Sequence, residues 1–354
     1  MNIRKIRIIL EEAYAESIWC KELLSGLQKE LKKRRLASDI YTQFVVPDAE
    51  DAVCLIGMSN GWLESVIEEY NALDCSPIVL SAQAGRSVDG KYHLICPDMK
   101  AAAKELKEAF ALAGRTKIAL YGANYSVDLD KDRTAIFSQL VDTPSDIYTN
   151  TGNLEACFRS FQKKAAFYDT VLCVNGYAAL SLVKKLEKEH KELLEKIVIL
   201  SCEEVLKHSK YNQWIFLIDL NLENFGAAAM AVMEMASLRS DISVITVRMN
   251  AAFSEIPGKV SAEHSDSETE LQFYEDPEII HMAKIEQLLR DADDMDHHII
   301  AMLLDGATYS EIADSSYMTE GNVKYRVKKY MSTCDCKTKK ELLELLQEYL
   351  QYKV

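Results

Sequence analysis

Short apolar runs alternate with longer segments of helical periodicity over most of this chain, from Ile3 to about Arg248. Residues 6–10 predict a strand, and in the segment after it Leu23, Leu27 and Leu31 recur at helical spacing. Strands that alternate with helices in this way indicate βαβ units and parallel sheets covered on both faces. About 250 residues is too long for one such sheet. We therefore predict an α/β fold of two lobes, each a parallel sheet flanked by helices, with ligands bound beyond the carboxyl ends of the strands.

The pattern changes after Arg248. Residues 254–278 contain two of the six prolines and an acidic, serine-rich tract, which is typical of a linker. From Ile279 to the end the sequence is helical throughout and alternates with no strands. The predicted domains are a two-lobed domain over 1–254 (lobe 1 about 1–98 and 220–240, lobe 2 about 99–219 and 241–254), a linker over 255–278, and a small all-α domain over 279–354.

Charge is distributed unevenly along the 354 residues. The chain has 41 Lys and Arg against 55 Asp and Glu, a net charge of −14. Residues 320–340 hold seven basic and two acidic residues, so this window carries +5 and the rest of the chain −19. A concentrated basic segment on an acidic protein is the electrostatic signature of phosphate contact, whereas a uniformly acidic chain would repel nucleic acid.

The basic window lies within a pattern that predicts a helix-turn-helix. A turn at Asp305-Gly306 is followed by a short helix around 310–314, a turn near 315–318 and a helix from Glu320 to about Met331. Thr319 is placed to cap the last helix. The alternative is that the basic window is a solvated helix face and that the short pattern arose by chance.

Residues 306–339 resemble the LuxR-type C-terminal DNA-binding domain. Gly306, Ile312-Ala313, Thr319-Glu320 and Val323-Lys324 match the family pattern, and residues 335–339 resemble its basic tail. Asn322, Arg326 and Asp335 stand where the family usually has Thr, His and Gly. The resemblance implies a recognition helix that enters the major groove of double-stranded DNA, in a homodimer on paired half-sites. The DNA-contacting residues that it implies are Thr308, Thr319, Glu320, Asn322, Lys324, Tyr325, Lys328 and Lys339.

The first 250 or so residues resemble the sensor domain of lac-repressor-type regulators, which has the periplasmic-binding-protein fold. The segments AVCLIGMSNG, VLCVNGYAAL and IVILSCEE carry the resemblance. Glu203 replaces the usual Asp, and Gly176 replaces the usual Asp after Asn175. The family's N-terminal helix-turn-helix is missing, as if the DNA-reading part had moved to the other end of the chain.

The resemblance also implies a binding site for a polar small molecule, with a sugar as the family-based guess. Its residues are Tyr14, Ser59, Asn60, Ser81, Tyr121, Asn124, Arg133, Asn175, Glu203 and Asn221. Hydroxyl groups need paired donors and acceptors, and Arg can clamp a ligand with two hydrogen bonds. Three alternatives stay open: Arg133 as an ordinary charge on a helix surface, Asn175 as a helix cap, and Trp19 as a core or lobe-interface residue instead of a stacking platform.

No catalytic or targeting motif is present in the sequence. It has no P-loop, GxGxxG or GxSxG, and His281, His297 and His298 lack zinc-ligand spacing, so we expect no enzyme activity, no cofactor and no metal. No stretch predicts a signal peptide or a membrane span. The nine cysteines are scattered, several of them in apolar runs, which is typical of reduced core thiols in a cytoplasmic protein.

Together these patterns predict a cytoplasmic, ligand-responsive transcription regulator. A small molecule would bind between the lobes and change the affinity of the C-terminal helix-turn-helix for DNA. Two alternatives belong to other classes: a solute-binding protein for transport, and an interaction module whose helical tail contacts protein instead of DNA. A flat salt dependence of nucleic-acid binding would favour the interaction module.

Overall fold

The computed structural model describes residues 4–83, 89–239, 241–253, 255–256 and 276–351. The chain divides into two compact units. The first unit is Met1–Arg115, Tyr125–Asp142 and Ile218–Gly258, and the second unit is Thr116–Asn124, Thr143–Leu217 and Lys259–Val354.

The predicted alternation of strands and helices is present. The strands are β1 Lys5–Leu10, β2 Ala37–Tyr41, β3 Asp51–Ile56, β4 Ile78–Leu80, β5 His93–Pro97, β6 Ile118–Ala123, β7 Ile147–Thr149, β8 Thr170–Cys173, β9 Val198–Ser201, β10 Ile215–Asp219, β11 Thr246–Met249 and β12 Ala252–Phe253. The helices are α1 Ile18–Arg34, α2 Asn60–Asn71, α3 Met99–Leu112, α4 Asp128–Phe137, α5 Leu154–Phe161, α6 Gly176–Glu189, α7 Lys191–Leu194, α8 Phe225–Leu238, α9 Pro277–Asp291, α10 Asp294–Leu304, α11 Tyr309–Ser315, α12 Glu320–Thr333 and α13 Lys339–Tyr349.

The first unit is built on a parallel sheet of strand order β11-β5-β4-β3-β1-β2. Ile6, Ile8 and Ile9 of β1 are fully buried, because helices cover both faces of the sheet. Helices α1 and α8 pack against each other at two glycines. A Cβ atom on Gly226 would lie 2.2 Å from the carbonyl oxygen of Gly26, so only glycine permits this approach of the two main chains.

The second sheet has the parallel strands β7-β6-β8-β9-β10 in that order, and the short β12 pairs antiparallel with the last two residues of β10. Aromatic rings fill the core beside β6 and β7. Phe161 lies 5.4 Å from the Tyr121 ring and 5.3 Å from the Tyr148 ring, both edge to face. Two parallel sheets with flanking helices confirm the predicted fold class.

The observed units differ from the predicted lobes over residues 99–115, 125–142 and 241–253, and helices α9 to α13 belong to the second unit instead of forming a separate domain. Helix α3 lies in the first unit, although its segment was expected in lobe 2. Strand β11 pairs with β5 from Thr246–Leu94 to Met249–Pro97 and so joins the first sheet. Hydrophobic periodicity identifies a strand or a helix but not the elements that it pairs or packs with, so the sequence could not assign these segments to a sheet. Of the predicted linker over 255–278, residues 257–275 lie outside the described part of the chain.

Helices α10 to α13 have the predicted helix-turn-helix order and lie in the second unit. Gly306 has a φ of +87°, which ends the helix before it, and the Thr319 hydroxyl accepts a hydrogen bond of 3.2 Å from the N–H of Asn322. Val323 and Val327 of α12 are buried against the neighbouring helices. Among the described residues, none of the helices is long and apolar enough to cross a membrane.

Candidate nucleic-acid interface and effector site

Helix α12 has one buried face and one exposed face. Val323, Val327 and Tyr330 are at most 1% exposed and hold the helix on the domain core. The residues on its exposed side are Asn322, Lys324, Tyr325, Lys328 and Lys329. The ring of Tyr325 is 74% exposed. The sequence prediction thus placed its candidate residues on the free side of the helix.

Positive charge on this side is only partly compensated. Lys324 forms an ion pair of 2.8 Å with Glu320, and this hydrogen bond lowers the pKa of the Glu320 carboxyl. Lys339 stands 4.5 Å and Lys324 5.8 Å from the centre of the Tyr309 ring, so α11 brings these two cations together. Lys328 has no ion-pair partner among the described residues, and its charge is available to a phosphate.

Arg326, where the LuxR-type family usually has His, faces inward. Its guanidinium donates to Asp293 at 3.0 Å and to Asp296 at 2.5 Å, and the Tyr330 hydroxyl donates to the same Asp296 oxygen at 2.5 Å. Burial alone would raise the pKa of Asp296, but the hydrogen bonds from Tyr330 and Arg326 outweigh it and lower that pKa. Arg326 therefore anchors α12 to α10.

The two candidate threonines are helix caps. The Thr308 hydroxyl accepts from the N–H of Glu311 at 3.3 Å and donates to its carboxylate at 2.8 Å. Thr319 caps α12 in the same way. Both residues are exposed, but their hydroxyl groups already serve the helix N-termini.

In the first unit, candidate effector residues follow the carboxyl ends of β1, β3 and β4. Ser59 donates its hydroxyl to Glu11, and the Glu11 carboxylate also accepts from the N–H groups of Met58 at 2.7 Å and Ser59 at 3.0 Å. Glu11 is 4% exposed and was missed in the sequence. A carboxylate directly after a buried strand is the signal that could have identified it. Ser81 accepts from the N–H of Gln83 at 3.2 Å.

Arg133 on α4 is 1% exposed, which excludes the alternative that it is an ordinary surface charge. The residue before Arg133 in the sequence, Asp132, accepts a hydrogen bond from the Gln83 side-chain amide. Tyr14 is half-buried, with its ring 5.7 Å from that of Trp19, and Trp19 is buried as the core alternative expected. Asn60 is exposed and Asn221 half-buried, and Asn221 is bonded to its neighbour Asn224.

In the second unit, three adjacent strands are each followed by a buried asparagine at the carboxyl edge of the sheet. Asn150 follows β7, Asn124 follows β6, and Asn175 follows β8, with exposures of 0%, 3% and 5%. Asn175 accepts from the N–H of Ala178 at 2.9 Å, so it is a helix cap as the alternative expected. Parallel strands bring these amides to one edge although they are far apart in sequence.

Asn150 was missed in the sequence, and its amide has an unusual environment. Its Oδ1 accepts from the N–H of Gly152 at 3.0 Å, while its buried Nδ2 has no hydrogen-bond partner among the described residues. Leaving a buried donor unsatisfied costs about 1–3 kcal/mol, so such a group calls for a water molecule or a ligand. No motif identified Asn150, because its burial depends on the pairing of β6 with β7.

The remaining candidates are Tyr121 and Glu203. Tyr121 is completely buried in the aromatic core, and burial raises the pKa of its hydroxyl far above the usual value. The structure therefore places Tyr121 in the core, whereas Glu203 is half-buried in the loop after β9. Within the described ranges, no cluster of His, Cys, Asp and Glu side chains could hold a metal ion.

Two parallel sheets with flanking helices, followed by C-terminal helices, define a two-lobed α/β fold that solved LacI-family regulators share. The transcriptional regulator CelR in its cellobiose complex has a TM-score of 0.56 at 8% identity, over 71% of this chain and 83% of that one. A LacI-family regulator from Clostridium acetobutylicum has a TM-score of 0.54 at 14% identity, over 71% and 98%. The regulator CCPA from Weissella paramesenteroides, solved with bound sucrose, has a TM-score of 0.51 at 11% identity, over 72% and 99%. The sequence matches no protein-family model and no curated protein.

Proposed function

We propose that this protein is a cytoplasmic, ligand-responsive transcription regulator with a LacI-type sensor fold and a LuxR-type C-terminal helix-turn-helix. The observation that carries the proposal is the exposed basic side of α12, on a chain that is otherwise strongly acidic. Such a face attracts DNA phosphates, and the acidic remainder limits binding to this one surface.

The chemistry of α12 suits a helix that reads base edges. Asn322 and Tyr325 are exposed in its first turns, where a recognition helix meets the bases, and an asparagine amide can pair with adenine. Lys328 and Lys329 would neutralise phosphates. We propose a homodimer on half-sites spaced by about one helical turn of DNA, roughly 10 bp, or a multiple of it.

The effector is proposed to be a small polar molecule with many hydroxyl groups, such as a sugar. Two of the related folds were solved with cellobiose and sucrose. Buried neutral amides after β6, β7 and β8 suit an uncharged ligand, because amide groups carry both donors and acceptors that match hydroxyl groups.

Selection of bound duplexes from fragmented genomic DNA tests the proposal. Wild type is compared with a Lys324/Lys328/Lys329→Ala variant and with a matched Lys100/Lys104/Lys107→Ala variant of α3, where three exposed lysines carry the same charge. We expect wild type and the α3 variant to enrich the same few sites and the α12 variant to enrich none.

The salt dependence of binding supplies a second readout. Loss of the two phosphate contacts of Lys328 and Lys329 lowers the slope of log K against log salt concentration by about 1.8, at roughly 0.9 per phosphate. Equal enrichment by all three proteins, or an unchanged slope for the α12 variant, would refute DNA binding through this helix.

A further inference from the structure

The C-terminal helices are tied to the rest of the second unit through a half-buried carboxylate on α9. Glu278 receives hydrogen bonds from Lys185 at 2.5 Å and Ser181 at 3.1 Å, and Lys184 lies 3.3 Å away. Burial alone would raise the pKa of Glu278, but the attraction and hydrogen bond of Lys185, helped by Lys184, outweigh burial and lower it. All three partners belong to α6, so the carboxylate holds α9 on that helix.

Helix α13 is attached to the same place on α6. The Lys184 ammonium forms an ion pair of 2.5 Å with Glu348, donates to the Tyr349 hydroxyl at 2.8 Å and lies 4.5 Å from the centre of that ring. Burial alone would lower the pKa of Lys184, but these partners raise it well above its usual value. One lysine therefore contacts both the first and the last helix of the C-terminal region.

A second attachment is the loop over 202–214, between β9 and β10. The Leu206 N–H donates to the Glu286 carboxylate of α9 at 2.5 Å. Ser209 pairs with Leu350 in an antiparallel bridge, and the Lys210 N–H donates to the carbonyl of Tyr349 at 3.1 Å. Main-chain hydrogen bonds thus join the loop directly to the end of α13.

Helix α6 and the 202–214 loop, which carry these attachments, both begin at the edge of the second sheet where the candidate effector residues lie. Asn175 caps the first turn of α6, and Glu203 is the second residue of the loop. The first turn of α6 is also in contact with the beginning of the loop. A Cβ atom on Gly176 would lie 2.7 Å from the Glu203 carbonyl oxygen and 2.8 Å from the Val205 side chain. A cavity of about 30 Å³ lies between them. A shift of the first turn of α6 must therefore displace the loop, because the main chains have almost no free space there.

We propose that α6 and the 202–214 loop form a relay that couples effector binding at the carboxyl edge of the second sheet to the position of the helix-turn-helix. The relay rests on the proposed function and adds its route of regulation. A ligand that pulls on Asn175 or Glu203 moves α6 and the loop, and both elements carry the C-terminal helices with them. Because linkage between binding sites is reciprocal, DNA bound to α12 must in turn alter the edge of the sheet.

Reciprocity allows a test with DNA alone, before the effector is known. The probe is the duplex most enriched in the selection above, added to the full-length chain, and the readout is hydrogen exchange of residues 176–180 and 203–206. We expect the duplex to change exchange there by about fivefold or more, the lower end of typical allosteric coupling.

Removing the charges of the Lys185–Glu278 ion pair tests whether the coupling between α12 and the sheet edge passes through this contact. A Lys185→Met/Glu278→Gln variant removes the charges of both partners together, so no unpaired buried charge is left behind. It should bind the duplex within about threefold of wild type, while the exchange response at 176–180 becomes smaller than in wild type, because only the Lys184 and loop attachments are left to transmit it. Lys104→Ala on α3 serves as the control and should keep the full response.

The outcomes separate the two proposals. A wild-type chain that binds the duplex with no exchange change in either segment overturns the relay and leaves the proposed function intact. A double variant that keeps the full response also overturns it, because the route then does not pass through Glu278. Failure to select any duplex overturns the proposed function and the relay together.

Discussion

Replacing Gly226 with alanine should destabilise the first unit through a clash between main chains. The added Cβ atom would lie 2.2 Å from the carbonyl oxygen, 2.4 Å from the carbonyl carbon of Gly26, and 2.6 Å from the Leu27 nitrogen. None of these atoms can rotate away as a side chain would. Helices α1 and α8 must therefore separate by about 1 Å to restore ordinary contact, and a gap of that size forfeits roughly a quarter to half of the dispersion energy of the contacts it opens.

The size of the effect follows from two opposing contributions. Overpacking a close contact costs about 1–3 kcal/mol, and the upper end applies here because only main chain can yield. Alanine stabilises a helix interior by about 1 kcal/mol relative to glycine. The net loss in free energy of unfolding is therefore about 2 kcal/mol.

Urea unfolding followed by circular dichroism measures this loss, and hydrogen exchange of the α1 amides assigns it to the α1–α8 contact. Gly61→Ala on α2 is the matched control, since no atom lies within 4 Å of its added Cβ, and it should leave stability unchanged or raise it by up to about 1 kcal/mol. If Gly226→Ala were as stable as wild type, the close approach of α1 and α8 would be refuted.

Three further outcomes are expected. Glu278 has a folded pKa below its usual 4.5, so its stabilising contribution is complete above that pH and is lost as the pH falls through the folded pKa. Wild type should thus lose stability more steeply below about pH 4.5 than Lys185→Met/Glu278→Gln, in urea titrations across that range, and parallel curves would contradict this. Thr319→Ala removes the cap on the Asn322 N–H and should cost about 1 kcal/mol in thermal melts, while Thr319→Ser should keep it; equal melts for the two would speak against the cap. Lys328→Ala should weaken DNA binding in titrations and leave the melting temperature unchanged, because its side chain contacts no acidic group in the described part of the chain; a lowered melting temperature would argue for a structural role.

The elements near the C-terminus were predictable because their signals are local. The Thr319 cap, the Gly306 turn and the valines that bury one face of α12 all act within one or two helical turns. The candidate DNA-contacting residues on α12 were implied by the resemblance, and Asn322, Lys324, Tyr325 and Lys328 lie opposite the buried face of the helix. Thr308 and Thr319 were predicted as DNA contacts, yet their hydroxyl groups are used as caps.

The site residues were predictable only in part. Asn124 and Asn175 were expected from the resemblance, but Asn150 and Glu11 were not, because each owes its burial to strands that meet only in the folded sheet. Tyr121 ends an apolar run, a position that fits a binding-site residue and a core residue equally well. Only the packing of the Phe161 ring against it shows that it belongs to the core.

The sequence alone determined the alternation of strands and helices, the α/β class and the basic helix α12, since periodicity, capping and charge are properties of neighbouring residues. The tertiary structure decided the rest: β11 beside β5, Arg133 buried on α4, and the attachment of α9 and α13 to α6 through Glu278 and Lys184. These contacts join residues that are about 90 to 165 positions apart. No local pattern encodes such a pairing, because its energy exists only once the chain has closed the intervening loop.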